Sequence, residues 1–358
     1  MLRVKPALFL VLALACGALA LAACGGSATR TTSSGATQPT QVGPAAGRAA
    51  APGSSGGSVK MIMIGGSPSD PFWSAVLKGG RDAAAGIKSR GASFDFLGPA
   101  NYNNLGPDLA RLEQTALARR PDIVLSGNFI PGAQSAGLKA LAAAQIPLIE
   151  YNTGATTWKA DGAIRYIGTD EKVAGVSAGQ GFVKAGAKRV MCVNAVPGNP
   201  GVEARCAGVK QAVTAGGGTA TELELPATEF GDPGAITQAI KGALIKDAAV
   251  DGVIATAANV TDYAWNALNQ ARRADKITLG TFDVSLSNLK RIADDKQLLA
   301  IDQQPYLQGY MAVSMAFLYV KWGLLPSDEW LKTGPLVITK QNVTPVLAGA
   351  KAGVRGAA

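Results

Sequence analysis

The sequence has 358 residues, 47% of them hydrophobic and 16% charged, with 34 Lys and Arg against 25 Asp and Glu for a formal charge of +9. These charges are scattered, with no basic block and no interleaving of basic and aromatic residues, which argues against a nucleic-acid partner. Histidine is absent from the chain, and this removes Ser-His-Asp and Cys-His nucleophile systems together with the usual mixed zinc sites.

At the amino terminus, Arg3 and Lys5 precede an almost unbroken apolar run from Ala7 to Ala20. This is the pattern of a secretory signal, and the run is shorter than the roughly 20 residues of a membrane-spanning helix. It ends on Leu21-Ala22-Ala23-Cys24. Small residues ahead of a cysteine resemble a lipobox, which implies removal of residues 1–23 and lipidation of Cys24. The next stretch, Gly25 to Ser58, is dominated by Gly, Ser, Thr, Ala, Pro and Gln, with Arg30 and Arg48 as its charges. It offers too little apolar surface to build a core and is expected to be a disordered tether. A lone acyl chain binds reversibly, so stable anchoring to the outer face of the cell membrane implies more than one chain. With Cys16 lost in the signal and Cys24 lipidated, Cys192 and Cys206 remain to form a disulfide in an oxidising compartment. Such a bond would add about 3 kcal/mol by closing a loop of this length; two buried free thiols are the alternative.

From Val59 onward roughly 300 residues remain, more than one core usually holds, so two lobes are expected. Short apolar runs alternate with helix-length stretches. Strands are predicted at Val59–Ile64, Phe94–Leu97, Asp122–Leu125, Pro147–Tyr151 and Arg165–Ile167, then at Arg189–Asn194, Thr221–Leu225, Gly252–Ala255, Thr278–Phe282 and Leu299–Ile301. Helices are predicted between them, including Phe72–Arg90, Pro107–Arg120, Gly132–Gln145 and Asp262–Arg273. This alternation indicates an α/β chain of parallel sheets covered by helices on both faces. The apolar stretch Tyr306–Leu325 contains Gln308, Gly309 and Lys321, which fits a helix packed on a sheet better than a membrane span.

Ligands of open parallel sheets bind beyond the carboxyl ends of the strands. The residues expected there are Asp70, Phe72 and Trp73 after the first strand, Asn128 and Phe129 after the third, and Asn152 after the fourth. In the second half they are Arg205, Glu229 and Phe230, then Asn259, Asp283 and Gln303. Amides, carboxylates and a guanidinium fork bond vicinal hydroxyls in pairs, and aromatic faces cover the apolar side of a sugar ring. Each residue alone also fits a turn, a helix cap or a core position. Asp70 and Asp283 could pair as glycosidase carboxylates, but Arg205 and nearby amides are expected to keep both ionised. Gly65-Gly66-Ser67 lacks the spacing and the Lys-Ser/Thr of a phosphate loop, and reads as a tight turn.

From Val59 to Val346 the chain resembles the ribose-type branch of the type I periplasmic sugar-binding proteins. The residues that carry the resemblance are Ser69-Asp70-Pro71-Phe72-Trp73, standing for the family's Asn-Pro-Phe-Phe, Gly168-Thr169-Asp170-Glu171 with Ala174-Gly175, and Gly198-Asn199-Pro200-Gly201 running into Arg205. Further matches are Asn259, Leu279-Gly280-Thr281-Phe282-Asp283 and Asp302-Gln303-Gln304-Pro305. The resemblance implies two Rossmann-like lobes, 59–170 plus 304–331 and 171–303 plus 332–350, joined by three crossings near Asp170, Gln303 and Lys332, whose hinge closes on the ligand. It implies a monomeric ABC-importer lipoprotein without cofactor or catalysis that delivers a sugar to a membrane permease. Asp70, Phe72, Trp73 and Asn152 would come from the first lobe, with Arg205, Phe230, Asn259 and Asp283 from the second. A sensor docking on a signalling receptor would share that hinge, whereas a transcription factor would need a helix-turn-helix where this chain has its signal and tether. Asn152-Thr153 replaces an Asp-Arg pair of ribose binders, and with Asp70 and Trp73 this is similar to a subgroup associated with sugars and sugar alcohols such as xylitol or threitol.

Overall fold

The computed structural model describes residues 57–226, 229 and 231–355. The signal, most of the tether, Cys24 and Phe230 lie outside the described residues. Near-continuous apolar runs make the central strands β1 (Val59–Ile64), β3 (Ile123–Ser126) and β4 (Leu148–Tyr151), which are buried on both faces as parallel strands under helices must be. β2 (Ala92–Leu97) and β5 (Arg165–Thr169) complete the first half, separated by α1 (Pro71–Ile87), α2 (Leu105–Arg119), α3 (Pro131–Ala143) and the short α4 (Trp158–Asp161). The second half repeats the alternation with β6 (Arg189–Asn194), β7 (Thr219–Glu224), β8 (Gly252–Ala255), β9 (Thr278–Phe282) and β10 (Leu299–Asp302). Its helices are α5 (Glu171–Lys184), α6 (Pro200–Ala215), α7 (Pro233–Lys246), α8 (Ala258–Gln270) and α9 (Leu286–Ala293). After these come α10 (Pro305–Trp322), β11 (Trp330–Gly334), β12 (Leu336–Ile338) and α11 (Val343–Lys351).

The strands form two sheets of one design, β11-β5-β4-β3-β1-β2 and β12-β10-β9-β8-β6-β7. All pairs are parallel except β10 with β12. In each sheet the order reverses beside the first strand, which opens a crevice at the carboxyl ends. The expected strands are present with ends shifted by one or two residues, whereas β11 and β12 escaped prediction. Lys332, expected at a crossing, lies inside β11, because that strand stays paired with β5 as far as Gly334 opposite Thr169. The chain therefore passes between the sheets after β5, after β10 and at Gly334-Pro335. Lys332 Nζ and Asp170 Oδ2 (3.2 Å) and Gln304 Nε2 to Thr333 O (2.6 Å) tie these crossings together.

One core fills the first lobe around Met63, Leu125, Tyr151, Tyr166 and Phe317. The second lobe is filled around Val193, Ile240 and Leu268 on one side of its sheet and Phe182, Val209 and Phe282 on the other. The α10 helix packs on α1, and among the described residues no helix is long and apolar enough to cross a membrane. Cys192 on β6 and Cys206 on α6 are disulfide-bonded with Cα atoms 5.6 Å apart, so the bond staples a helix to the strand it covers. Helices α5 and α6 touch backbone to backbone: a Cβ on Gly175 would lie 2.2 Å from Arg205 O, and one on Gly208 would lie 2.5 Å from Lys172 O. Glycine at both positions is what allows the first turns of α5 to meet the middle of α6.

Candidate ligand-binding cleft

The crevices of the two sheets face one cleft of about 850 Å³ counted with its open mouth. Eleven of the twelve residues expected at strand ends are described, and nine of them line it: Asp70, Phe72, Trp73, Phe129, Asn152, Arg205, Asn259, Asp283 and Gln303, while Asn128 and Glu229 do not.

The first lobe contributes an aromatic wall. Asp70 caps α1, its Oδ1 accepting from Phe72 N at 2.8 Å with Pro71 in the first helical turn, so the helix start is fixed as the two aromatics swing into the cleft. Phe72 and Phe129 each meet Trp73 edge to face at 5.1 Å, and Tyr151 does so at 6.2 Å. Gly66 is glycine because a Cβ there would stand 2.2 Å from Trp73 Nε1, a tighter reason than the expected turn. Tyr102 joins this wall from the loop before α2 and hydrogen-bonds the Asp70 carboxyl. Burial raises the Asp70 carboxyl above its ordinary range, opposed by the backbone N–H groups of Phe72 and Trp73.

The second lobe contributes charge. Arg205 is buried, and its guanidinium is a fork clamped by Glu171, with Nε to Oε2 at 2.6 Å and Nη2 to Oε1 at 3.0 Å. Its Nη1 donates to Thr256 O at 2.7 Å and approaches Asp283 Oδ2 at 3.8 Å, while its Cζ stacks 5.1 Å from the Phe282 ring. Three of the five guanidinium N–H groups are thus spent inside the protein. About two donors of the fork remain for a ligand. Burial pushes the Asp283 carboxyl up to about 7 against the pull of Arg205 and Gln303. The expectation that Arg205 and nearby amides keep either carboxyl from being raised is corrected for both: desolvation outweighs Arg205 and Gln303 at Asp283, and the Phe72, Trp73 and Tyr102 donors at Asp70.

Two residues hold matching places. Asn152 after β4 and Asp283 after β9 both have φ of 66°, and each donates its N–H at 2.8 Å to the next strand, to Ile167 O and Ile301 O respectively. Gln303 lies between them, accepting from Asn152 Nδ2 at 3.3 Å and donating to Asp283 Oδ1 at 2.5 Å. Thr153 Oγ1 donates to Asn199 Oδ1 (3.4 Å), the cap of α6, from the opposite lobe.

Asn128 does not reach the cleft. Its Nδ2 turns inward to Ser135 Oγ (2.8 Å) and Asp161 Oδ2 (2.7 Å), beside a buried polar cluster that also holds Glu150, Glu113 and Gln134. Glu150 is fully buried with both carboxyl oxygens lacking a hydrogen-bond donor, and burial together with Asp161 pushes it up to about 10, while Glu113 rises to about 8. Sequence reasoning missed Tyr102, which lies in the loop after β2, a strand end from which no residue was drawn, and saw Glu171 only as a motif position. The signal for Glu171 was Arg205 itself, since a buried guanidinium requires a carboxylate. No cluster of described residues could hold a metal ion.

Comparison with known proteins agrees with this geometry. The periplasmic binding protein domain family matches residues 37–323. A carbohydrate transporter from Acidothermus cellulolyticus 11B, solved in complex with myo-inositol, is 31% identical and aligns over 83% of this chain and 100% of its own with a TM-score of 0.75. An ABC transporter solute-binding protein from Agrobacterium vitis, bound with α-D-tagatopyranose, shares the fold at 24% identity over 81% of this chain and 98% of its own, with a TM-score of 0.71. The xylose/arabinose-binding protein XylF of Sulfolobus acidocaldarius is 29% identical over 107 residues, which are 28% of this chain and 27% of that relative's length. The chain belongs to the periplasmic binding protein domain family, among its type I, ribose-binding-like sugar-binding members, and is a binding protein rather than an enzyme.

Proposed function

We propose that the chain is the receptor lipoprotein of an ABC importer, anchored outside the cell membrane through Cys24, that captures a monosaccharide or sugar alcohol between its lobes and presents it to a permease. The observation that carries this reading is the pairing of a preformed aromatic wall, Phe72 and Trp73, with Asp283 and the residual donors of Arg205 across the cleft. An aromatic face receives the C–H side of a ring, while the carboxylate and guanidinium take its hydroxyls. Asp70, Asn152, Asn259 and Gln303 supply further amide and carboxyl groups at the rim and floor. Phe230, from outside the described residues, is assigned to the same site on the resemblance alone. A relative bound to myo-inositol supports a cyclic polyol as one candidate class alongside pentoses, hexoses and linear polyols.

A thermal-shift panel of these four classes tests the proposal. A solute that binds the native state raises the melting temperature by mass action, and at least one sugar or polyol should do so at micromolar concentration. A panel in which no polyhydroxylated compound shifts the transition, while amino acids or nucleosides do, refutes the reading. Detergent-phase partitioning of the parent, lost in Cys24→Ala, tests the anchor.

A further inference from the structure

The end of the first lobe opposite the cleft carries exposed groups that the binding site does not use. Gly57, the first described residue, lies on this end, its carbonyl accepting from Lys321 Nζ at 3.5 Å, so the chain that leads back to Cys24 enters the lobe here. Next to Lys321, Trp322 is 48% exposed and Leu324 56% exposed, although Trp322 has Phe317 available as an edge-to-face partner at 5.4 Å. The same end gathers cations from separate elements. Lys60 begins β1 beside Asp122, whose N–H bonds Lys60 O. Lys88 and Arg90 flank the turn whose Gly91 packs on Ser58, and Arg120 closes α2. Among the described residues none of these four, nor Lys321, has an ion-pair partner. The carboxylates nearby are Asp122, which accepts from Lys60 N, Asp328, and Glu329, which is paired with Lys159.

We infer that this end is a membrane-contact surface, with Trp322 and Leu324 seated at the headgroup level of an anionic bilayer and Lys60, Lys88, Arg90, Arg120 and Lys321 facing its phosphates. Tryptophan beside an aliphatic residue, ringed by Lys and Arg, is the composition that partitions into a bilayer interface. The position of the chain entry selects a membrane over a protein as the occupant. A lipid at Cys24 would hold this end nearest the bilayer, so the inference rests on the anchor reading for its geometry.

The test uses the full chain at low ionic strength with vesicles of phosphatidylglycerol carrying brominated acyl chains, which quench tryptophan on contact. Trp73 and Trp158 are buried and Trp265 and Trp330 half-buried, which leaves Trp322 the most exposed of the five tryptophans. The parent should lose the emission of Trp322, Trp322→Phe should lose far less, and Lys88→Glu with Arg90→Glu should reduce the loss while leaving the sugar-induced thermal shift intact. No quenching of the parent, or equal quenching of parent and Trp322→Phe, overturns the inference. The anchor is read separately. If Cys24→Ala partitions into detergent as the parent does, the anchor reading fails while the quenching result still decides the surface.

Discussion

The two lobes bring the same backbone to the cleft and opposite chemistry. Their sheets have the same strand order, and Asn152 and Asp283 occupy matching left-handed positions with matching hydrogen bonds to the next strand. Around Asn152 stand Trp73, Phe72 and Phe129, which need no counter-ion. Around Asp283 stand Arg205 and Glu171, one cation against two carboxyl groups in a dry site. The difference shows that topology decides where a residue meets the ligand, while its neighbours decide its protonation and which bonds it has left to offer. The aromatic lobe is a shaped wall. The ionic lobe is a balanced set in which no member can be changed alone.

That contrast is open to a direct challenge through Arg205. Arg205→Ala strands Glu171 and Asp283 in the interior, and it should cost about 3–5 kcal/mol of stability as well as abolish binding. Denaturant titration of Arg205→Ala against Arg205→Ala with Glu171→Gln should show stability returning in the double variant while calorimetry still detects no sugar. If the single variant is as stable as the parent, the ionic lobe is not the balanced set described. A smaller effect is expected of Asp283→Asn, which keeps shape and loses charge. Affinity should fall by about tenfold to a hundredfold, the worth of a hydrogen bond to an ionised group. Because burial raises this carboxyl to about 7, it is protonated on the acid side and ionised above. Parent affinity should therefore strengthen as pH rises from 5 to 8, and the profile of Asp283→Asn should be flatter.

The smallest effect sharpens the comparison from beneath the aromatic lobe. Glu113 and Glu150, raised to about 8 and about 10, hold protons in the folded chain that the unfolded chain releases above its ordinary value of 4.5. The sign is fixed by linkage: their stabilisation is full below that value and is lost as pH rises through the folded values. The melting temperature should fall toward pH 10, and Glu150→Gln should fall by a few degrees less.

How much of this was legible depended on direction rather than position. The buried strands were readable because β1, β3, β4, β6 and β8 are short, mostly apolar and separated by helices. β11 and β12 were not, since Trp330 to Ile338 is interrupted by Gly334-Pro335 and its strands sit at sheet edges, paired on one side only. The strand-end rule located nine cleft residues, yet it says where a Cα lies and nothing of where a side chain turns. Asn128 therefore passed the rule and still faces inward to Asp161. Arg205 was found, but its partner was not, because Glu171 is distant in sequence and meets it only through the glycine contact of α5 with α6.

The shared pose of Asn152 and Asp283 carries a consequence for how such a receptor changes its diet. A left-handed backbone tolerates Asn and Asp alike, and the two side chains differ by one terminal group. Exchanging one for the other at either place alters charge with little demand on the scaffold. Specificity can drift by single-residue steps at two mirrored addresses while Gln303, between them, keeps an acceptor for one neighbour and a donor for the other.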